Sequence, residues 1–274
     1  MNRIDGTFAQ SRREGRKALI PFITAGFPDP ALTLPLMTHL VQAGADILEL
    51  GVPFSDPMAD GPIIQRASER ALAHGVTLAR VLDTVARFRE TDVDTPVVLM
   101  GYANPIERLG IETFAARARA SGVDGVLTVD YPPEAARDYT RALTGNGIAP
   151  IFTVAPTTTN RRLPALLENA AGFLYYVSLR GVTGATHLDL DRARAQLLAL
   201  RQCTRLPIGL GFGIQTPSMA AQAALYADAV IVGSRLVREI EQSHPHTMLA
   251  NASRLIAELR DAMDEATGLQ PADV

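Results

Sequence analysis

Tryptophan is absent from the 274 residues, cysteine occurs once (Cys203) and lysine once (Lys17). A single thiol excludes an internal disulfide and a cysteine-rich metal cluster, and it suits a reducing compartment, so a cytoplasmic protein is expected. Of the 26 basic residues 25 are arginine, and 29 acidic residues bring the net charge to −3. That balance argues against nucleic acid or an anionic membrane surface as the main partner. Long apolar runs are missing too. The first one, Ala18–Thr24, is broken by Pro21 and falls far short of the ~20 residues that span a bilayer. The first residues mix Asp5 and Glu14 with arginines and read as no targeting segment. An apolar fraction of 47% excludes a long disordered chain. With no linker or shift in composition, one domain over residues 1–274 is expected.

What is present is an alternation. Short, continuously apolar runs occur at Ala18–Thr24, Asp46–Val52, Pro96–Tyr102, Gly125–Val129, Ala149–Val154, Phe173–Ser178, Pro207–Gly211 and Ala229–Gly233. Each reads as a strand buried on both faces. Between them lie helical stripes such as Leu32, Leu36 and Leu40 or Leu78, Leu82 and Val85, with polar residues opposite. Gly44, Gly122 and Gly147 stand where helices stop before the next strand. Eight strand–helix units in roughly 250 residues predict a closed (β/α)8 barrel, with an extra helix over residues 2–14 and long loops.

The active site of such a barrel lies at the C-terminal strand ends, so polar residues in those places are the candidates. Glu49 interrupts the apolar run Ile47-Leu48-Glu49-Leu50. If Leu48 and Leu50 face the helices, Glu49 faces the barrel mouth, where burial raises its pKa into the range that suits a proton donor or acceptor near neutral pH. The alternative is a buried carboxylate satisfied by an arginine or tyrosine. Asp60 follows in a loop stiffened by Pro53, Pro57 and Pro62. It fits either catalysis or an N-cap for a helix opening at Pro62. Three glycine-rich strand ends, Gly181–Gly184, Gly209–Gly213 and Gly233-Ser234, let backbone N–H groups approach an anion. Loops after the last two strands of this fold are the usual seat of a phosphate.

Other chemistries are excluded or weak. Lys17 precedes the first strand, at the wrong end for a Schiff base or a lysine-anchored pyridoxal group. The run from Gly209 departs from G-x-G-x-x-G at Ile214. His244-Pro245-His246 reads as a solvated loop pair, and no metal site is expected.

The run Leu48-Glu49-Leu50-Gly51-Val52-Pro53-Phe54-Ser55-Asp56-Pro57-Met58-Ala59-Asp60-Gly61-Pro62 resembles the signature of the tryptophan synthase α chain family. Pro21–Gly26, Met100–Pro105, Gly181–Gly184 and Gly211–Ile214 resemble it in order, and the likeness runs from Arg3 to about Leu259. The resemblance implies a lyase that cleaves indole-3-glycerol phosphate into indole and glyceraldehyde 3-phosphate. It implies Glu49 and Asp60 as the acid–base carboxylates and phosphate contacts at Gly184, Gly213, Gly233 and Ser234. It also implies an indole pocket of Phe22, Met100, Leu127, Tyr175 and Phe212, and loop closure through Thr183. No cofactor is implied in this chain. A pyridoxal-phosphate β chain is the implied partner, in an α2β2 heterotetramer. A stand-alone lyase of the same family and a catalytically silent activator of β are the alternatives. Small departures are Met58 for the family's frequent leucine, Leu179-Arg180 before Gly181, and Phe173 where some members have tyrosine. The last leaves Tyr175 as the candidate hydroxyl partner of Glu49.

Overall fold

The computed structural model describes residues 2–177, 190–211 and 213–269. Helix α1 (Arg3–Glu14) opens at Asn2, whose side chain accepts from the Ile4 N–H, and closes at Gly15. Eight strands follow: β1 (Ala18–Thr24), β2 (Leu48–Gly51), β3 (Val97–Gly101), β4 (Gly125–Thr128), β5 (Ala149–Val154), β6 (Leu174–Val177), β7 (Ile208–Gly211) and β8 (Ala229–Val232). They pair in parallel and in sequence order, and β8 returns to β1. The expected (β/α)8 barrel is therefore closed.

Around it run α2 (Thr33–Gln42), α3 (Pro62–Ala73), α4 (Leu78–Phe88), α5 (Ala103–Leu109), α6 (Ile111–Ser121) and α7 (Arg137–Gly145). The ring is completed by α8 (Leu163–Asn169), α9 (Leu190–Arg201), α10 (Pro217–Ala224), α11 (Ser234–Gln242) and α12 (Met248–Ala266). Two helices, α3 and α4, lie between β2 and β3. Gly44, Gly122 and Gly147 all adopt positive φ (103°, 85° and 73°), the left-handed turn that ends a helix without a Cβ clash.

Strand alternation sorts the side chains. Ala18, Ile20, Ile47, Val98, Leu127, Ile151, Phe173, Ala229 and Ile231 fill the barrel, whereas Leu19, Leu48, Leu50, Val97 and Leu99 join the helices outside. Ile4 and Phe8 of α1 belong to the inner cluster, so α1 plugs the N-terminal end of the barrel. The functional surface is thereby confined to the other end.

Charged residues lock that closed end. Asp46, Asp124 and Asp228 stand just before β2, β4 and β8, and each accepts from an N–H at the foot of the preceding strand. The bonds are Leu19 N–H at 2.7 Å, Val97 N–H at 2.9 Å and Ile208 N–H at 2.8 Å. Each carboxylate also meets arginine: Arg260 and Arg16 at Asp46, Arg89 and Arg3 at Asp124, and Arg201 at Asp228. The strands are shorter than the apolar runs partly for this reason. Asp46 lies inside the run from 46 to 52, but its side chain turns back to β1 rather than extending β2.

Candidate active site

A cavity of 390 Å³ opens at the C-terminal end of the barrel. Phe22, Met100, Leu127 and Tyr175, the described members of the expected indole pocket, all line it, together with Val129, Ala155, Val177 and Ile231. These apolar walls suit a flat aromatic ring. Gly213, Gly233 and Ser234 lie in the same wall, as does Asp60. Phe212, Thr183 and Gly184 lie outside the described residues, as do Leu179 and Arg180.

Glu49 points into the barrel, as alternation requires, since Leu48 and Leu50 pack among the outer residues. It stands in register with Phe22 on one side and Val98 on the other, one pleat deeper than Met100. It is 1% exposed, and neither carboxyl oxygen has a hydrogen-bond partner among the described residues. No described arginine or tyrosine, Tyr175 included, hydrogen-bonds to it. Burial, reinforced by the negative charge of Asp60, pushes the Glu49 pKa up to about 8, so the group holds a proton at neutral pH.

Asp60 is not an N-cap. Helix α3 begins at Pro62, its N-cap is Gly61, and no side chain caps it. Instead the Tyr102 hydroxyl donates to Asp60 Oδ2 at 3.1 Å and accepts from the Ala59 N–H at 3.0 Å. The Tyr102 ring stacks on Phe54 of the same loop, centroids 4.9 Å apart. One aromatic residue after β3 thus pins the loop after β2. Burial raises the Asp60 pKa to about 6, and the Tyr102 hydrogen bond works against that rise. The Tyr175 phenol is held well above its usual pKa by burial and then by the charges of Glu49 and Asp60. Its hydroxyl is within electrostatic reach of both.

Glycines admit these rings. A Cβ on Gly51 would come within 2.6 Å of the Phe22 ring, and one on Gly211 would collide with Tyr175. Of the run 209–213, Gly209 and Gly211 make room for side chains, and only Gly213, at φ 85°, lies in the cavity wall. Across the mouth, α11 starts at Ser234 behind Gly233, with no side-chain cap, so its first N–H groups are available to an anion.

Sequence reasoning missed Tyr102, Thr153, Gln215 and Arg238, all but the first in the cavity wall. Stepping two residues along β5 from Ile151 would have found Thr153. Nothing local marks Arg238, which sits in the second turn of an amphipathic helix. Among the described residues no cluster of three metal-ligating side chains occurs, and His244 and His246 are exposed.

Fold and cavity together define a (β/α)8-barrel enzyme whose mouth sets the Asp60 carboxyl beside an apolar slot and the start of α11, with the Glu49 carboxyl buried in β2. A family model described as tryptophan synthase alpha chain matches residues 8–267. The chain is 57% identical to the tryptophan synthase alpha chain of Burkholderia thailandensis over 266 residues, 97% of this chain and 98% of that one. It is equally similar to that of Dechloromonas aromatica over 265 residues, covering 97% and 99%. Among solved structures, tryptophan synthase subunit alpha from Legionella pneumophila superposes with a TM-score of 0.92 at 47% identity, covering 97% and 99%. An aminoacrylate-bound tryptophan synthase from M. tuberculosis gives 0.86 at 35%, covering 96% and 100%. The chain belongs to the tryptophan synthase α chain family.

Proposed function

We propose that this chain, folded as one domain, cleaves indole-3-glycerol phosphate by a retro-aldol reaction, with Glu49 as the proton donor and Asp60 as the stabilising anion. The observation that carries the reading is geometric: the buried Glu49 carboxyl faces the barrel interior without a hydrogen-bond partner among the described residues, beneath a cavity whose wall holds Asp60. Burial pushes the two pKa values up to about 8 and about 6. Near pH 7 one is an acid and the other a base. Glu49 protonates the ring at C3, and the positive charge that develops on the ring nitrogen is balanced by ionised Asp60. The hydroxyl on the carbon bonded to C3 gives its proton to the Glu49 carboxylate left by the first transfer, and the former O–H electron pair becomes the second bond of the aldehyde as the carbon–carbon bond breaks. The electron pair of that bond returns to the ring, giving indole and glyceraldehyde 3-phosphate.

Phe22, Met100, Leu127 and Tyr175 hold the ring, and the N–H groups around Gly213, Gly233 and Ser234 hold the phosphate. Family resemblance adds Phe212, Gly184 and the closing residue Thr183. No lysine stands at the mouth to anchor pyridoxal phosphate, which is assigned to a β chain that receives the indole. The loop that carries Asp60 also carries Met58, 84% exposed, an apolar side chain suited to docking that partner in an α2β2 assembly. No described helix is long and apolar enough to cross a membrane, and a cytoplasmic site of action is proposed.

Indole formation by the purified chain, titrated with β chain, is the test. Slow turnover alone and a gain of at least ~10-fold on adding β is expected, the size of an ordinary coupling between sites. A chain that is fast alone and indifferent to β is a stand-alone lyase. No indole under either condition leaves the silent-activator reading.

A further inference from the structure

Arg238 is the only cation in the described cavity wall. It lies on α11 four residues after Ser234, so both project from one face of the helix, and Ser234 with Gly233 lies in the same wall. The guanidinium makes no hydrogen bond or ion pair among the described residues. Glu241, whose carboxyl feels the Arg238 charge, is already held by Arg66 through two nitrogens, at 3.2 and 2.9 Å, and Arg238 only adds to the field that keeps that carboxyl acidic. A half-buried arginine left without a carboxylate beside an uncapped helix N-terminus is a charge awaiting a ligand.

We propose that Arg238 is a phosphate-binding residue that supplies the countercharge the backbone seat lacks. The proposal rests on the phosphorylated substrate assigned above. A phosphate monoester carries close to two negative charges at pH 7, whereas a helix N-terminus offers only about half a positive charge. Backbone N–H groups at Gly213, Gly233 and Ser234 can orient the phosphate oxygens but cannot neutralise them. The forked guanidinium matches two phosphate oxygens at once.

The test compares wild type, Arg238→Gln and Arg238→Lys in three measurements: calorimetric binding of glycerol 3-phosphate, binding of indole, and steady-state cleavage of indole-3-glycerol phosphate. Arg238→Gln is expected to weaken glycerol 3-phosphate binding and raise KM by about 10- to 100-fold, the loss of a charge-assisted bond. Indole binding, kcat and melting temperature should stay near wild type. Lysine should recover part of the loss, and the wild-type affinity should fall with added salt more steeply than that of the glutamine variant. Unchanged phosphate affinity in Arg238→Gln overturns the proposal, and so does an equal loss for indole, which would assign Arg238 to the fold. If wild type binds glycerol 3-phosphate but makes no indole, the lyase reading fails while the binding comparison still decides the role of Arg238.

Discussion

Glu49 and Asp60 are two ordinary carboxylic acids that one barrel separates by burial and by a hydrogen bond. With Asp60 near 6 and Glu49 near 8, kcat/KM should rise as pH passes through ~6, where Asp60 ionises. It should fall through ~8, where Glu49 loses its proton. Glu49→Gln should abolish the alkaline limb along with at least ~10²-fold of the turnover, and Asp60→Asn should remove the acid limb. Tyr102 stands behind this arrangement as a positioning residue. Its hydrogen bond favours the ionised form of Asp60, so Tyr102→Phe should move the acid limb to higher pH and lower kcat more than it raises KM. A pH–rate profile of each variant checks all three, and an unmoved acid limb in Tyr102→Phe would mean that the tyrosine only packs against Phe54.

Elements at the closed end of the barrel carry a different kind of chemistry. Asp124 is 3% exposed and is bonded by Val97 N–H, Arg89 and Arg3 at 2.8 to 2.9 Å. It ties β3, β4, α1 and the end of α4 together. Arg89 in turn donates to the carbonyls of Gly122, Asp92 and Thr95, which keeps the guanidinium in place. Asp124→Ala would leave Arg89 buried with only Asp92, 3.9 Å away, as counter-ion, a change expected to cost up to about 3–5 kcal/mol. Chemical denaturation should show that loss, while KM and kcat of the surviving folded fraction stay close to wild type. A drop in kcat at full folding would tie the closed end to the site.

The whole molecule bears the cost of keeping Glu49 dry. Below its unfolded value of 4.5 the group is protonated in both states and contributes nothing to pH dependence. Between 4.5 and about 8 the native state keeps a proton that the unfolded chain has released, so stability falls as pH rises. Above about 8 the penalty is complete, on the order of a few kcal/mol. Glu49→Gln should therefore be more stable than wild type at pH 8 to 9 and should match it near pH 4. Denaturant midpoints across that range provide the measurement, and parallel curves for the two proteins would show that the carboxyl is hydrated in solution. A site that destabilises its own fold is a usual sign of function.

The amino-acid sequence by itself determined the eight strands, the barrel and the inward direction of Glu49. All three follow from local periodicity, which is two in a strand whatever surrounds it. It also determined the glycine stops before β2, β4 and β5, because a left-handed turn is a property of one residue. Only the tertiary structure removed the capping reading of Asp60, since a cap and a cavity carboxyl use the same side chain and differ in which neighbour reaches it. That neighbour, Tyr102, is 42 residues away. Arg238 became visible for the same reason: on its helix it is one more polar residue, and only closure of β8 onto β1 brings it to a cavity shared with Phe22 and Gly213. Among the glycines of the run 209–213, the sequence could not separate those that make room for Tyr175 or Phe173 from Gly213, which lies in the cavity wall. A missing side chain leaves no local pattern, and what fills its space comes from the adjacent strand.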